Sequence, residues 1–540
     1  MPIQLPLDVV DQVLCHTDDP SDVLSVALCN RALHSVAIPH HLYYRDIRTR
    51  LTNISLWNWL SRLDDLRAEH IRSLTILPDQ DSDFYDMNHS YDLRERLPPD
   101  FTPSSPIPLT AYRDLDVCRQ SEMGLIATLR RTSRLQRFRW HRIPPPLSEG
   151  QENIWTVLRR LDTLSEIDLY DGGSLELGVP PMLTSPELYS LANLTTLKLR
   201  SEGNKLFPDA AGPEVPSGLQ NMLLQNLPNL EVLALELDIC EEIDGTANIN
   251  HLLESAWWPK LRYLRLKGVN CTVVPLVRFL SIHSSLEYLC LAQMMPGHAW
   301  PRLAAEIPNT ALPNLRYLNC SSAQAAALLG ASLPNLKTLI GVEVHESIID
   351  KDYFTWDDDW ADEGGYDDYD DSAEMKSPWR EQLLENLKAH PSITHLGISS
   401  VKTMQDIETV AAIAPQITEL EIGVTSQSLK IPRSEWLRSV SLFTKLEVIT
   451  GGHFVWFDPY NELTMEAVEE ANNSIQALVK ACPRLRVILV APHAKKAVII
   501  GERNGMQYGL ETVRPVRWVV RKWEESEAAA AKAGEVVYGA

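Results

Sequence analysis

Apolar residues recur along most of this chain in a six-residue pattern, LxxLxL, often preceded by a proline and a polar residue. Clean copies begin at Leu194 (LTTLKL), Leu230 (LEVLAL), Leu261 (LRYLRL) and Leu286 (LEYLCL). Looser copies begin at Leu135, Leu164, Leu315, Leu336, Ile393, Ile417, Leu446 and Leu485, and Ile71 (IRSLTI) suggests a further one. Successive starts lie about 29 residues apart, apart from one gap of 57 between Leu336 and Ile393. The fourth and sixth positions fall on one face of an extended segment, so each core predicts a short strand with its leucines turned inward. Segments 217–227 (SGLQNMLLQNL) and 379–387 (WREQLLENL) carry apolar residues at helical spacing and predict return helices. One such unit cannot bury its leucines alone, whereas a stack of them can.

The period and the pattern are those of leucine-rich repeats. The expected fold is α/β: a short N-terminal three-helix segment followed by a leucine-rich-repeat solenoid, a horseshoe or arc, with an inserted acidic loop. The competing reading is coincidental amphipathic segments in an ordinary α/β domain. In a solenoid, core positions three, five and seven point away from the leucines onto the concave face. They read Arg137, Arg139 and His141, then Glu166, Asp168 and Tyr170, then Thr196, Lys198 and Arg200, then Val232, Ala234 and Glu236. Next come Tyr263, Arg265 and Lys267, then Tyr288, Cys290 and Ala292, then Tyr317, Asn319 and Ser321. Tyr263, Tyr288 and Tyr317 hold one position in consecutive units and predict an aromatic row. Tyrosine and arginine are frequent carriers of binding energy, so a protein substrate is expected on Arg137, Arg139, Lys198, Arg200, Tyr263, Arg265, Lys267, Tyr288 and Tyr317. Solvated concave positions, with tyrosine fitted to a strand, are the plainer alternative. The cations in this set suit a phosphopeptide or an acidic segment.

A formal net charge of −22 argues against non-specific binding to nucleic acid or to anionic lipid. Half of that charge sits in 350–374 (DKDYFTWDDDWADEGGYDDYDDSAE), which self-repulsion predicts to be a loop. Its interleaved aromatic residues suggest a partner-binding or self-masking role beside the simpler one of a tolerated insertion. A second insert, 78–110, is rich in Pro, Asp and Ser and reads as a loop. The eight cysteines are scattered with no CxxC pair, so neither a disulfide framework nor a zinc cluster is expected. The first residues lack a basic region and an uninterrupted apolar run, which predicts no signal peptide, no anchor, and a cytoplasmic or nuclear protein.

Residues 1–48 read as three short helices. The first carries Val9, Val10, Val13 and Leu14, expected on one face. The second opens with Asp19 as N-cap and Pro20 at the first helical position, and carries Val23, Leu24, Ala27 and Leu28. The third runs from about Arg31 to Ala37 and stops before Pro39. The stretch LPLDVVDQVLCHTDDPSDVLSVALCNRALHSVAIPHHLYYRDI resembles an F-box: a Leu-Pro opening, an acidic then aliphatic first helix, a Pro-polar-Asp turn and a Leu-rich second helix. The resemblance covers under a tenth of the chain and gains weight from the repeat body behind it. It implies docking on Skp1, and through it on cullin and RING subunits, by Leu5, Pro6, Val10, Leu14, Pro20, Leu24 and Leu28. The chain is then expected to be the substrate-recognition subunit of an SCF-type E3 ubiquitin ligase. The alternative is a non-catalytic repeat scaffold whose N-terminal helices only cap the solenoid.

No GxGxxG, GxxxxGK[ST], GxSxG, HExxH or EF-hand pattern occurs, so a non-catalytic adaptor with no cofactor and no metal is expected. His40 and His41 are read as surface or docking residues. Cys15 and His16, adjacent on a helix, point about 100° apart and cannot pair as nucleophile and base. The expected division is an F-box-like segment 1–48, then 49–134 as a helical linker with the Pro/Asp/Ser-rich insert and a first repeat. Residues 135–495 form the repeat solenoid with an acidic insert over 345–378, and 496–540 form a C-terminal cap and helical tail.

Overall fold

The computed structural model describes residues 6–17, 19–62, 67–78, 94–102, 115–142, 145–147, 152–171, 182–201, 215–237, 247–291, 306–345, 378–423, 431–451, 477–478, 480–485 and 487–489, with short strands at 502–503, 506–507 and 517–519. Leu5, the acidic insert 350–374, most of the insert 78–110 and the tail 522–533 lie outside the described residues. The fold is α/β, built on a large parallel sheet, and divides into two compact units, Met1–Leu286 and Glu287–Ala540.

In the first unit three helices come first: α1 (Leu7–Cys15), α2 (Pro20–Cys29) and α3 (Arg31–Ala37). Asp19 caps α2 by accepting the Ser21 N–H at 2.7 Å, and Asn30 caps α3 by accepting that of Leu33 at 2.9 Å. Helix α3 ends at Ala37, before Pro39 as expected, and a π-helical turn, Ile38–Leu42, follows it. Strands β1 (Asp46–Arg50), β2 (Ser73–Leu77), β3 (Arg137–Trp140), β4 (Glu166–Asp171), β5 (Thr196–Ser201) and β6 (Val232–Leu237) follow in the order of the chain. A two-residue strand β7 (Ala247–Asn248) precedes β8 (Tyr263–Lys267), which pairs with β6 and closes this run. β7 itself pairs with β9 (Val269–Asn270) in a separate ladder. Every pairing in this unit's sheet is parallel. Parallel neighbours need a crossover, and the return segments supply it with helices such as Ile54–Leu60, Leu115–Leu129, Asn250–Ser255 and Val273–Ile282.

The second unit repeats the scheme with β10 (Tyr288–Cys290), β11 (Tyr317–Asn319), β12 (Thr338–Glu343), β13 (His395–Ser400), β14 (Glu419–Ile422), β15 (Val448–Gly451) and β16 (Val487–Leu489), all parallel. A short antiparallel pair, β17 (Glu502–Arg503) with β18 (Met506–Gln507), precedes β19 (Arg517–Val519), which lies antiparallel on β16. Its return helices include Ser322–Leu328, Pro378–Ala389, Met404–Ile413 and Arg433–Val440.

Each LxxLxL core places a strand two residues after its start, and equal core positions pair across the sheet. In the first unit Ile47, Leu74, Phe138, Ile167, Leu197, Leu233 and Leu264 stand in one row, all buried. Ile76, Trp140, Leu169, Leu199, Leu235 and Leu266 form the next row inward. Burial of each such side chain contributes about 1.5–3 kcal/mol, which is why the rows hold large apolar residues without a break. The second unit repeats the row with Leu289, Leu318, Leu339, Leu396, Leu420 and Ile449.

Two backbone details fix this register. Before many cores a tight turn closes from the first core N–H to the carbonyl three residues back, as in Leu261 to Trp258 and Leu336 to Leu333. Proline is the second residue of these two turns, where its fixed φ suits the turn. At the second core position one carbonyl then accepts two successive N–H groups of the next strand. Gln136 O takes Ser165 and Glu166, Ser165 O takes Thr195 and Thr196, Thr195 O takes Glu231 and Val232, and Arg316 O takes Lys337 and Thr338. The same contact starts at Arg45 O, which takes Arg72 and Ser73, so the ladder begins at β1, one strand before the copy that Ile71 suggests.

Candidate functional site

Helices α1 and α2 carry apolar residues on two faces. Val10, Leu14, Val23, Ala27 and Ala37 close a small core shared by α1, α2 and α3, with Val26, Leu33, Val36, Ile38 and Leu42 packed around it. The other faces hold Leu7, Val9 and Val13 on α1 and Leu24 and Leu28 on α2, and these five are exposed, Leu28 at 74% and Val13 at 58%. Val9 and Val13, like Leu24 and Leu28, are four residues apart and so neighbours on one helix face. Exposed apolar residues this close together on a small helical segment are a candidate binding surface.

The residues assigned to docking therefore separate. Pro6, Pro20, Leu24 and Leu28 are at the surface. Val10 and Leu14 are inside, where they shape the surface by holding the helices together but cannot touch a partner. Leu7, Val9 and Val13 were not assigned, because one apolar run on α1 does not say which half of it the neighbouring helices cover. His40 is exposed as expected, whereas His41 is buried, with Nε2 2.8 Å from Asp11 Oδ1. Burial outweighs that carboxylate and holds the His41 pKa below the ordinary histidine value.

On the first unit's sheet, the face opposite the leucines carries the expected substrate residues in register: Arg139, Asp168, Lys198, Ala234 and Arg265 in one row, and Tyr170, Arg200, Glu236 and Lys267 in the next. Arg137, Arg139, Lys198, Arg200, Tyr263 and Arg265 are half-buried, and Lys267 is buried. The charges of Arg139, Arg200 and Arg265 are met within the face. Arg139 Nη2 lies 2.7 Å from Glu166 Oε1, and Arg200 Nε and Arg265 Nε each lie 3.0 Å from Glu236 Oε1. His141 stands 3.5 Å from Asp168. Burial lowers the Arg200 pKa despite Glu236, whereas at Arg139 burial is outweighed by Glu166 and the nearby acids, and the pKa rises. An acidic partner would thus meet arginines already engaged, which no reading of one strand at a time could show.

Tyr288 and Tyr317, on paired strands of the second unit, stack with centroids 4.0 Å apart and planes 9° apart. Tyr263 is half-buried on β8 in the first unit, in register with Val232. Among the described residues no helix is long and apolar enough to cross a membrane. No family model matches the chain, and no curated protein matches it.

Proposed function

We propose that this chain is the substrate-recognition subunit of an SCF-type E3 ubiquitin ligase, docking on Skp1 through its N-terminal helices and holding a protein substrate on the outward face of a leucine-rich-repeat sheet. The observation that carries the reading is the pair of helices with a closed inner face and an exposed apolar outer face, where Leu24 and Leu28 sit in the F-box-like stretch. Skp1 would connect the chain to cullin and RING subunits, so ligase chemistry would belong to the assembled complex and this chain would act as a non-catalytic adaptor. Its outward face offers side chains typical of interfaces, the stacked Tyr288 and Tyr317 in one unit and Arg137, Arg139, Lys198, Arg200, Tyr263, Arg265 and Lys267 in the other. An acidic or phosphorylated segment would have to compete with Glu166 and Glu236 for the arginines.

A second reading, an interaction scaffold whose helices only cap the sheet, is favoured by a different observation. Arg72 donates to the carbonyl of Cys15, and Arg134 Nη1 lies 2.6 Å from Cys15 Sγ, so the end of α1 is tied to segments beside β2 and β3. Pull-down of purified Skp1 separates the two. The full chain is expected to bind it, and Leu24→Ala with Leu28→Ala, both surface changes, is expected to weaken binding at least tenfold with circular dichroism unchanged. A folded wild-type chain that does not bind Skp1 would leave the scaffold reading.

A further inference from the structure

Three metal-ligating side chains converge behind the exposed helix face. Asp11 and Cys15 are four residues apart on α1 and so share a face of that helix. His41 comes from the π-helical turn after α3. One donor atom from each of the three lies within 4.8 Å of the others, and Cys15 and His41 are buried. His70 stands outside that trio: its ring lies 5.9 Å from that of His41, edge to face, and its Nδ1 is buried with no hydrogen-bond partner among the described residues.

We propose that Asp11, Cys15 and His41 form a zinc site, with His70 beside its remaining position. The donor chemistry selects the metal class. Thiolate and imidazole with one carboxylate suit zinc, whereas magnesium and calcium take oxygen ligands. Neutral imidazole is the ligating form of histidine, and the ring nitrogens of His41 are presented from a single helical turn. Metal binding requires Arg134 to swing off the sulfur and the 2.8 Å contact between Asp11 and His41 to open by several tenths of an ångström. The metal would pin α1 to the turn leading into β1, a structural role that does not depend on the Skp1 reading.

The test uses the purified full chain, stripped with a chelator and titrated with zinc and with cobalt(II). One zinc per chain is expected, together with a cobalt–thiolate charge-transfer band that Cys15→Ser abolishes and Cys29→Ser, at an exposed cysteine of the same segment, leaves intact. Asp11→Asn is expected to weaken zinc at least tenfold. Because Cys15→Ser could perturb folding, zinc protection of Cys15 against alkylation is read in the wild-type chain by mass spectrometry. A chain that binds no zinc, a band that survives in Cys15→Ser, or equal alkylation of Cys15 with and without zinc would each overturn the site.

Discussion

Tyr288 and Tyr317 occupy the same position of two successive cores, and their rings lie flat against each other at 4.0 Å. The register Tyr288 to Tyr317 brings them opposite, and the parallel ladder keeps both on one face. Burial pushes the Tyr317 hydroxyl pKa up. A double-mutant cycle with Tyr288→Leu and Tyr317→Leu, read by urea unfolding, is expected to give a coupling of about 1 kcal/mol. Additive single effects would show that the stack is only geometric.

Leu24 and Leu28 point away from the helical core, while Leu14 is 1% exposed within it. Leu24→Ser with Leu28→Ser is expected to leave the thermal midpoint nearly unchanged, a change within about 0.5 kcal/mol for each site. Leu14→Ala is expected to cost about 2–5 kcal/mol and to loosen the N-terminal segment first, visible as faster amide exchange there.

Glu236 is 3% exposed and carries both Arg200 and Arg265. Glu236→Gln leaves two guanidinium groups side by side without their shared anion and is expected to destabilise the first unit by about 1–3 kcal/mol. The Gln variant should also gain affinity for an acidic peptide if the outward face takes one. Fluorescence anisotropy at two salt concentrations measures this gain.

Asp171 is fully buried, with the Leu183 N–H 3.3 Å from Oδ2 and no hydrogen-bond partner for Oδ1 among the described residues. Burial raises its pKa to about 6. The folded chain therefore holds a proton between about 4 and 6 that the unfolded chain has released, and its contribution to stability is lost as pH rises through 6. Asp171→Asn should remove that loss. Its thermal midpoint is expected to exceed wild type above pH 6, by up to about 3 kcal/mol in stability, and to match it near pH 4.

His283 is buried between two backbone groups: Nδ1 lies 2.8 Å from the Phe279 carbonyl, which only a donor suits, and Nε2 accepts the Trp258 N–H at 3.1 Å. Protonation of Nε2 would break the second bond. Burial accordingly lowers its pKa, although the Phe279 carbonyl opposes the shift. The unfolded chain takes up a proton near pH 6.5 that the folded chain refuses, so this contribution to stability falls as pH drops below 6.5. Thermal melts at pH 7.5 and 5.5 should show a smaller loss in His283→Gln than in wild type.

Much of the sheet was readable because its signal is local. A strand needs leucines two residues apart and a turn before them, and both lie within a short window. β1 escaped because its inward positions are Tyr44, Ile47 and Thr49, and a threonine at the sixth position breaks the apolar pattern. Thr49 is nevertheless fully buried, its hydroxyl donating to Glu95 at 3.2 Å, a partner 46 residues away. On α1 and α2 the apolar positions were legible, but their division into inner and outer faces was not, since that division depends on where α3 packs.

The sequence by itself determined where the strands after β1 that carry the LxxLxL core and the N-terminal helices form, and which positions of those strands turn inward, because periods of 2 and 3.6 residues are set by backbone geometry. Only the tertiary structure decided which outward residues meet. Glu236 lies between Arg200 and Arg265, Tyr288 lies on Tyr317, and Cys15, which cannot reach its neighbour His16, lies beside His41. These contacts join residues 26 to 36 positions apart through crossovers of unequal length, and crossover length leaves no trace in the pattern of any single strand or helix.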